Sequence, residues 1–423
     1  MENVGAIILA GGLGKRLSIL AQERAKPALP FAGKYRIIDF ALSNCVNSGI
    51  CNVAVVTQYQ PRSLIEHIGI GAPWGLVPPD REIQLLQPYL AREEGHEWYK
   101  GTADAVYENF RYIEKHGAEL IFILSGDHVY KMDYSDMLKF HREKQADLTL
   151  AVTSLPDEEL RQFGTVTVDE AGQVIEFQEK VKHPKSNFVS MGIYLFNKDV
   201  LQKCLEEDAE STTSKHDFGK NVIPRIVKKG GVFAYSFDGY WRDVGTVDSY
   251  WQANMDLLEI SPYLLLSAGW PLRTKIEDRP PAMVSERVIG SLLSHGCVIR
   301  GRVDHSILSP GVQVAEGAIV KDSIIMSDSI IGPDSIIDYS ILDKEVVVEA
   351  GCHIGFGDSF QANHKEPGVL NAGLTVVGKR VKIPAGTKIG RNCVIFSNVL
   401  KGDFPGKEIQ SGETIKLKRR RTG

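Results

Sequence analysis

The chain has 423 residues, 43% of them hydrophobic and 24% charged, the profile of a soluble globular protein with room for two or three domains. A net charge of −4 gives no reason to expect a nucleic-acid partner, and no window approaches a membrane-spanning length. The N-terminus lacks a basic n-region and its apolar stretch is too short for a secretory leader, so a cytoplasmic protein with neither nucleic acid nor membrane as partner is expected.

In chain order, Ala6 to Ala10 reads as a buried strand that breaks into Gly11-Gly12-Leu13-Gly14-Lys15-Arg16. Backbone without side chains, followed at once by two cations, suits a loop that cradles phosphates; an ordinary glycine-rich turn is the alternative. The dinucleotide fingerprint fails at Leu17, where its third Gly belongs, and the Walker loop lacks its Gly-Lys-Ser/Thr. Lys26 precedes Pro27, which fixes an extended backbone, and Lys34 and Arg36 follow closely. Val53 to Thr57 is a strand. Ala103 to Lys115 places Val106, Phe110 and Ile113 on one helical face. Leu120 to Leu124 is a buried strand ending at Ser125-Gly126-Asp127, and Ala146 to Thr153 is another. Phe163-Gly164-Thr165 opens a strand, Val174 to Glu179 is its neighbour, and Ser190-Met191-Gly192 begins a further one. The rhythm predicts an α/β, Rossmann-like, mostly parallel sheet over residues 1–255, with ligands beyond the carboxyl ends of its strands.

Residues 256–288, punctuated by Pro262, Pro271 and Pro280-Pro281, read as a connector. From 289 to 423 the grammar changes. Val312, Ala318, Ile324, Ile330, Ile336, Leu342, Val348 and Ile354 keep a step of six, with Ile319, Ile325, Ile331 and Ile337 one residue on; Val377, Ile383, Ile389 and Ile395 resume it. That period predicts a hexapeptide-repeat, left-handed parallel β-helix with Gly355 to Thr375 looped out of one coil. Lys416 to Arg421 is a basic tail. The six cysteines are scattered without a C-x-x-C and read as buried small hydrophobes.

Asp127 stands where a strand's carboxyl end would face the glycine loop, as a ligand for a divalent cation does; a turn carboxylate is the alternative. Asp243, between Arg242 and the turn at Gly245, reads as a second cation ligand or a structural ion pair. Glu179, Lys180 and Ser190 on neighbouring strand ends suit a phosphorylated polyol. No Ser-His-Asp or Cys-His set stands out, which favours direct displacement at phosphorus.

Gly11-Gly12-Leu13-Gly14-Lys15-Arg16-Leu17 with Lys26-Pro27-Ala28 resembles the signature of nucleotide-sugar pyrophosphorylases. The blocks Arg36 to Asn44, Trp98 to Ala105, Gly126 to Tyr130, His216-Asp217-Phe218-Gly219-Lys220 and Tyr240 to Thr246 resemble the bacterial glucose-1-phosphate adenylyltransferase family. The resemblance implies adenylyl transfer from ATP to α-D-glucose 1-phosphate, giving ADP-glucose for α-glucan synthesis, with Mg²⁺ as cofactor and a homotetramer as assembly. It implies catalytic roles for Arg16, Lys26 and Asp127, and metal binding by Asp127 and Asp243. Gly11, Gly12, Gly14, Gln58, Gln87, Gly101 and Thr102 would face the nucleotide, and Tyr99, Gly164, Glu179, Lys180 and Ser190 the sugar phosphate. Arg24 and Arg36 match positions that hold a small anionic effector. Glu23 and Pro30 stand where enteric relatives carry Lys and His, so the charge reversal argues against fructose 1,6-bisphosphate as activator. Another nucleotide and sugar phosphate, a non-catalytic regulatory subunit, or a hexapeptide acyltransferase are the rival readings.

Overall fold

The computed structural model describes residues 3–78, 81–88, 98–259 and 268–418. The chain forms two compact units. One comprises Met1–Gly12, Ile38–Trp241 and Trp270–Arg273; the other comprises Leu13–Ile37, Arg242–Gly269 and Thr274–Gly423.

The first unit is built on a nine-stranded sheet. Its strands are β1 (Val4–Leu9), β2 (Asn52–Val56), β3 (Glu82–Leu86), β4 (Leu120–Ser125), β5 (Leu148–Ser154), β6 (Gly164–Val168), β7 (Val174–Glu179), β8 (Phe188–Asn197) and β9 (Val232–Ser236). The order runs β7-β6-β8-β4-β1-β2-β3, with β5 on β8 and β9 on β5. The pairs β1–β2, β1–β4, β2–β3 and β5–β9 are parallel. The sheet is mixed rather than parallel throughout, because β8 runs antiparallel to β4, β5 and β6. β1 and β4 are almost wholly buried along their length, as strands covered on both faces must be. Leu9 aligns with Val56 and with Ser125, so Gly11, Gln58 and Asp127 follow carboxyl ends that lie side by side.

In this first unit two expectations need correction. The helix read over Ala103 to Lys115 is two: α1 (Thr102–Glu108) and α2 (Phe110–Lys115), broken at Asn109 (φ −104°, ψ 12°). The Asn109 amide donates to the Ala105 carbonyl (2.8 Å) and to the Tyr99 hydroxyl (2.9 Å), a side-chain bond that competes with the helix ladder. Ser190 lies inside β8, not at its start, where the register shifts between Ser190 and Tyr194; such bulges re-aim side chains beside functional sites.

The second unit carries the expected parallel β-helix: three ladders of short strands, the first beginning at Met283–Val284. The connector expected over 256–288 holds the end of helix Val247–Glu259, that first strand, and residues 260–267, Pro262 among them, which lie outside the described residues. The interior row is Leu308, Val314, Val320, Ile325, Ile331, Ile337, Leu342, Val348 and Ile354. Its steps are six, six and five, so the uniform six-residue row read from sequence leaves the interior: Ile330 is 40% exposed while Ile331 is fully buried. In the Ile330–Ile331 strand successive side chains point to opposite faces, one out and one in. Ser306, Ser323 and Ser340 recur 17 residues apart at one buried corner, where the Ser306 hydroxyl accepts the Ser323 amide and the Ser323 hydroxyl the Ser340 amide, both at 3.1 Å. Leu342 pairs with Val377, so the segment between Phe356 and Thr375 leaves the stack, as expected. Arg419, Arg420 and Arg421 of the tail lie outside the described residues.

Candidate functional site

In the first unit, the carboxyl ends of β1, β2 and β4 gather the groups predicted for the nucleotide. A Cβ on Gly11 would lie 3.3 Å from the Gln58 Cβ, and the Gln58 amide donates to the Tyr99 carbonyl (3.2 Å). Burial pushes the Tyr99 hydroxyl above its ordinary pKa, against the Asn109 bond. Gly101 and Thr102 open α1. The Thr102 hydroxyl donates to Asp217 Oδ2 (3.2 Å) and accepts the Phe218 amide (3.0 Å). Gln87 is exposed beyond β3 and joins none of these contacts among the described residues.

Asp127 accepts from the Ser125 hydroxyl, and His128 Nε2 lies 3.5 Å from its carboxylate. His128 is turned by its Nδ1 contact to the Met191 carbonyl (3.0 Å). The carboxylate is part exposed, as a metal ligand at a strand end must be.

On the sugar-phosphate side, Glu179 ends β7. A Cβ on Gly164 or Gly219 would come within 2.8 or 2.7 Å of Glu179 Oε2, so two glycines make room for one carboxylate. Burial raises its pKa, with Asp217 adding to the rise and Lys180 opposing it. Lys180 Nζ lies 3.5 Å from Glu179 on an exposed side chain, and its φ of +51° is one that few non-glycine residues adopt. The buried Ser190 hydroxyl faces the Tyr194 hydroxyl at 3.4 Å.

In the second unit, Lys26 Nζ bonds Asp243 Oδ1 at 2.6 Å, with Lys26 buried and Asp243 largely so. A Cβ on Gly245 would sit 2.8 Å from Arg16 Nη2 and 2.9 Å from Asp243 Oδ2. Gly14, at φ +59°, caps the turn that begins at Lys15. Thus Arg16, Lys26 and Asp243 lie together, with Asp243 in an ion pair, one of the two readings open for it. Arg24 is buried and bonds both Asp343 oxygens at 2.6 and 2.5 Å; Arg36 donates to the Ala28 carbonyl (2.5 Å). Glu23 pairs with Lys379 (3.3 Å) and Arg380 (3.2 Å), so the reversed charge has cations of its own. Sequence reasoning missed Lys344, whose ammonium is pushed down to about 8 by burial and by the Arg36 and Arg24 guanidiniums.

The nucleotidyl transferase family model matches residues 5–260, and a GlmU-like C-terminal hexapeptide model matches 282–377. The chain is 52% identical to glucose-1-phosphate adenylyltransferase of Thermomicrobium roseum, over 98% of each chain. The chain belongs to the glucose-1-phosphate adenylyltransferase family. Two other members are similarly close: the Thermotoga maritima enzyme is 48% identical over 98% of this chain and 99% of its own, and that of Acetivibrio thermocellus 46% over 98% of each. Among the described residues no helix is long and apolar enough to cross a membrane, and all six cysteines are free, with five buried.

Proposed function

We infer that this chain transfers the adenylyl group of ATP to α-D-glucose 1-phosphate, releasing pyrophosphate and forming ADP-glucose for α-glucan synthesis. The observation that carries the inference is the 52% identity over 98% of both chains. An oxygen of the glucose 1-phosphate phosphate attacks the ATP α-phosphorus in line and pyrophosphate leaves, so catalysis is positioning plus neutralisation of charge. The backbone amides around Gly11, Gly12 and Gly14 receive the phosphates, and Arg16 and Lys26 meet the charge that grows on the departing group. Tyr99, Gln58, Gln87, Gly101 and Thr102 flank the nucleotide. Glu179 accepts from glucose hydroxyls, Lys180 meets the sugar's phosphate, and Gly164 and Ser190 shape the same wall. The carboxylates of Asp127 and Asp243 are oxygen donors suited to Mg²⁺, which when bound neutralises phosphate charge. The reading extends to a cytoplasmic homotetramer assembled through its β-helices and to an anionic effector near Arg24 and Arg36; the Arg24–Asp343 pair must open for Arg24 to reach a ligand.

The test is pyrophosphate release by the purified protein with Mg²⁺ and glucose 1-phosphate, offering ATP, UTP, dTTP, GTP and CTP in parallel. Strong preference for ATP is expected. Preference for another nucleotide would keep the chemistry and change the product, and silence with all five in a folded protein would support a regulatory subunit.

A further inference from the structure

His216 is a buried residue at φ +51°, a backbone conformation that a non-glycine side chain adopts only when its surroundings insist. Four contacts insist here. Its amide donates to the Ser214 hydroxyl (2.9 Å). Its Nδ1 lies 2.9 Å from Asp208 Oδ2. Its carbonyl accepts the Ala103 amide (2.8 Å) and the Asp104 amide (3.3 Å) at the start of α1. That carbonyl also presses on Gly101, where a Cβ would come within 2.3 Å of it. The next residues continue the grip: Asp217 and Phe218 hold the Thr102 hydroxyl, and Gly219 backs onto Glu179. Four consecutive residues therefore touch both the turn proposed for the nucleotide and the carboxylate proposed for the sugar.

The anchor of this clamp is Asp208, in the last turn of helix α3 (Lys198–Ala209). It is 2% exposed and its oxygens meet other side chains. Oδ1 accepts the Ser214 hydroxyl (2.7 Å), Oδ2 meets His216, and Arg225 stands 3.7 Å away. A carboxylate at a helix's carboxyl end opposes the helix dipole, so helix stability gives no reason for it. Ser214 and His216 bond both to Asp208 and to each other, a closed ring that fixes the backbone through its left-handed residue.

We propose that Asp208 is a positioning residue: through Ser214 and His216 it holds the His216–Gly219 clamp, which sets the nucleotide turn and Glu179 together. This rests on the reading above, in which Gly101, Thr102 and Glu179 face the substrates.

The experiment compares Asp208→Ala and Asp208→Asn with the unaltered full chain, by steady-state kinetics and by amide hydrogen exchange. Asp208→Ala should fold, exchange the Ala103 and Asp104 amides faster, and raise KM for both ATP and glucose 1-phosphate about tenfold, with kcat changed far less. Asp208→Asn keeps an acceptor for the imidazole and should lie between. If Asp208→Ala does not fold, His216→Asn, whose side chain tolerates the left-handed backbone, carries the same expectation. Unchanged exchange at Ala103 and Asp104 overturns the proposal. Faster exchange with unchanged KM in an active enzyme also overturns it, since the clamp would then be structural alone. If the unaltered protein transfers no nucleotide, the functional reading fails and exchange alone judges the clamp.

Discussion

At Asp127 a single carboxylate separates chemistry from folding. It is part exposed and accepts a hydrogen bond from the neighbouring Ser125, and an amide keeps an acceptor oxygen there, so Asp127→Asn should shift the melting temperature far less than it lowers kcat, which falls about a hundredfold or more. An active Asp127→Asn enzyme would remove this residue from the mechanism. Glu179 adds a pH signature. Burial raises its pKa, so it takes up a proton sooner than an ordinary carboxylate as pH falls, and its role as acceptor for glucose hydroxyls is lost with it. The acid limb of the kcat/KM profile should disappear in Glu179→Gln, with KM for glucose 1-phosphate about tenfold higher. Lys344 acts on stability instead. Its pKa drops from 10.5 to about 8, so between those values the unfolded chain holds a proton that the folded chain has released, and stability rises with pH across that window. Below about pH 8 the buried charge costs at most about 3 kcal/mol. Lys344→Met should therefore unfold at higher urea at pH 7 and show no rise between pH 8 and 10. Gly11, Lys26, Asp127 and Glu179 stand out as candidates in the sequence because their chemistry is local to a strand end or a loop. His216 was legible only as part of a motif: a left-handed backbone at a non-glycine residue leaves no pattern in the sequence, and its partner Asp208 comes from a helix whose spacing speaks only of its apolar face.

Among the elements, the solenoid announced itself most clearly, since no helix or flat strand repeats every six residues. What its sequence hid was the five-residue step at every third corner, visible only once Ile330 and Ile331 are seen to part company. The serine corner explains how the tighter step is held. Ser323 is fully buried; its hydroxyl donates to the Lys321 carbonyl (2.6 Å) and accepts the Ser340 amide (3.1 Å). Ser323→Ala strands that amide without water and should cost about 1–3 kcal/mol in urea unfolding, whereas Ser291→Ala, at the exposed first coil, should cost less. The break of the Ala103 to Lys115 helix at Asn109 was illegible for a related reason: the apolar face runs straight through it, and only the reach of one amide to Ala105 and Tyr99 ends the first helix.

For the whole molecule, order along the chain is a poor guide to company in space. Leu13–Ile37 and Arg242–Gly269 cluster with the β-helix coils rather than with the nine-stranded sheet. Arg24 meets Asp343, the Trp251 indole donates to the Asp322 carbonyl (2.9 Å), and Gly33 backs onto Ser294 and Leu308. These contacts span from 71 to 319 residues of chain, so no periodicity or local motif forecasts them. A fragment of residues 1–255 would lack Asp343, the counter-charge of Arg24, together with the coils against which Leu13–Ile37 clusters. Such a fragment should be insoluble or lack a cooperative melt, while the full 46.8 kDa chain should melt cooperatively and sediment as four copies.

The coils also behave as a reading frame for insertions and deletions. Between Ile325 and Ile331 one residue removed would turn the next interior side chain outward, whereas the corner where the chain leaves the stack before Thr375 takes extra length without disturbing the pairing of the coils. There Leu342 still finds Val377 whatever lies between. That corner is where a lineage of this fold can add or lose sequence, and where a tag or a foreign loop can be carried without shifting the phase of the coils on either side.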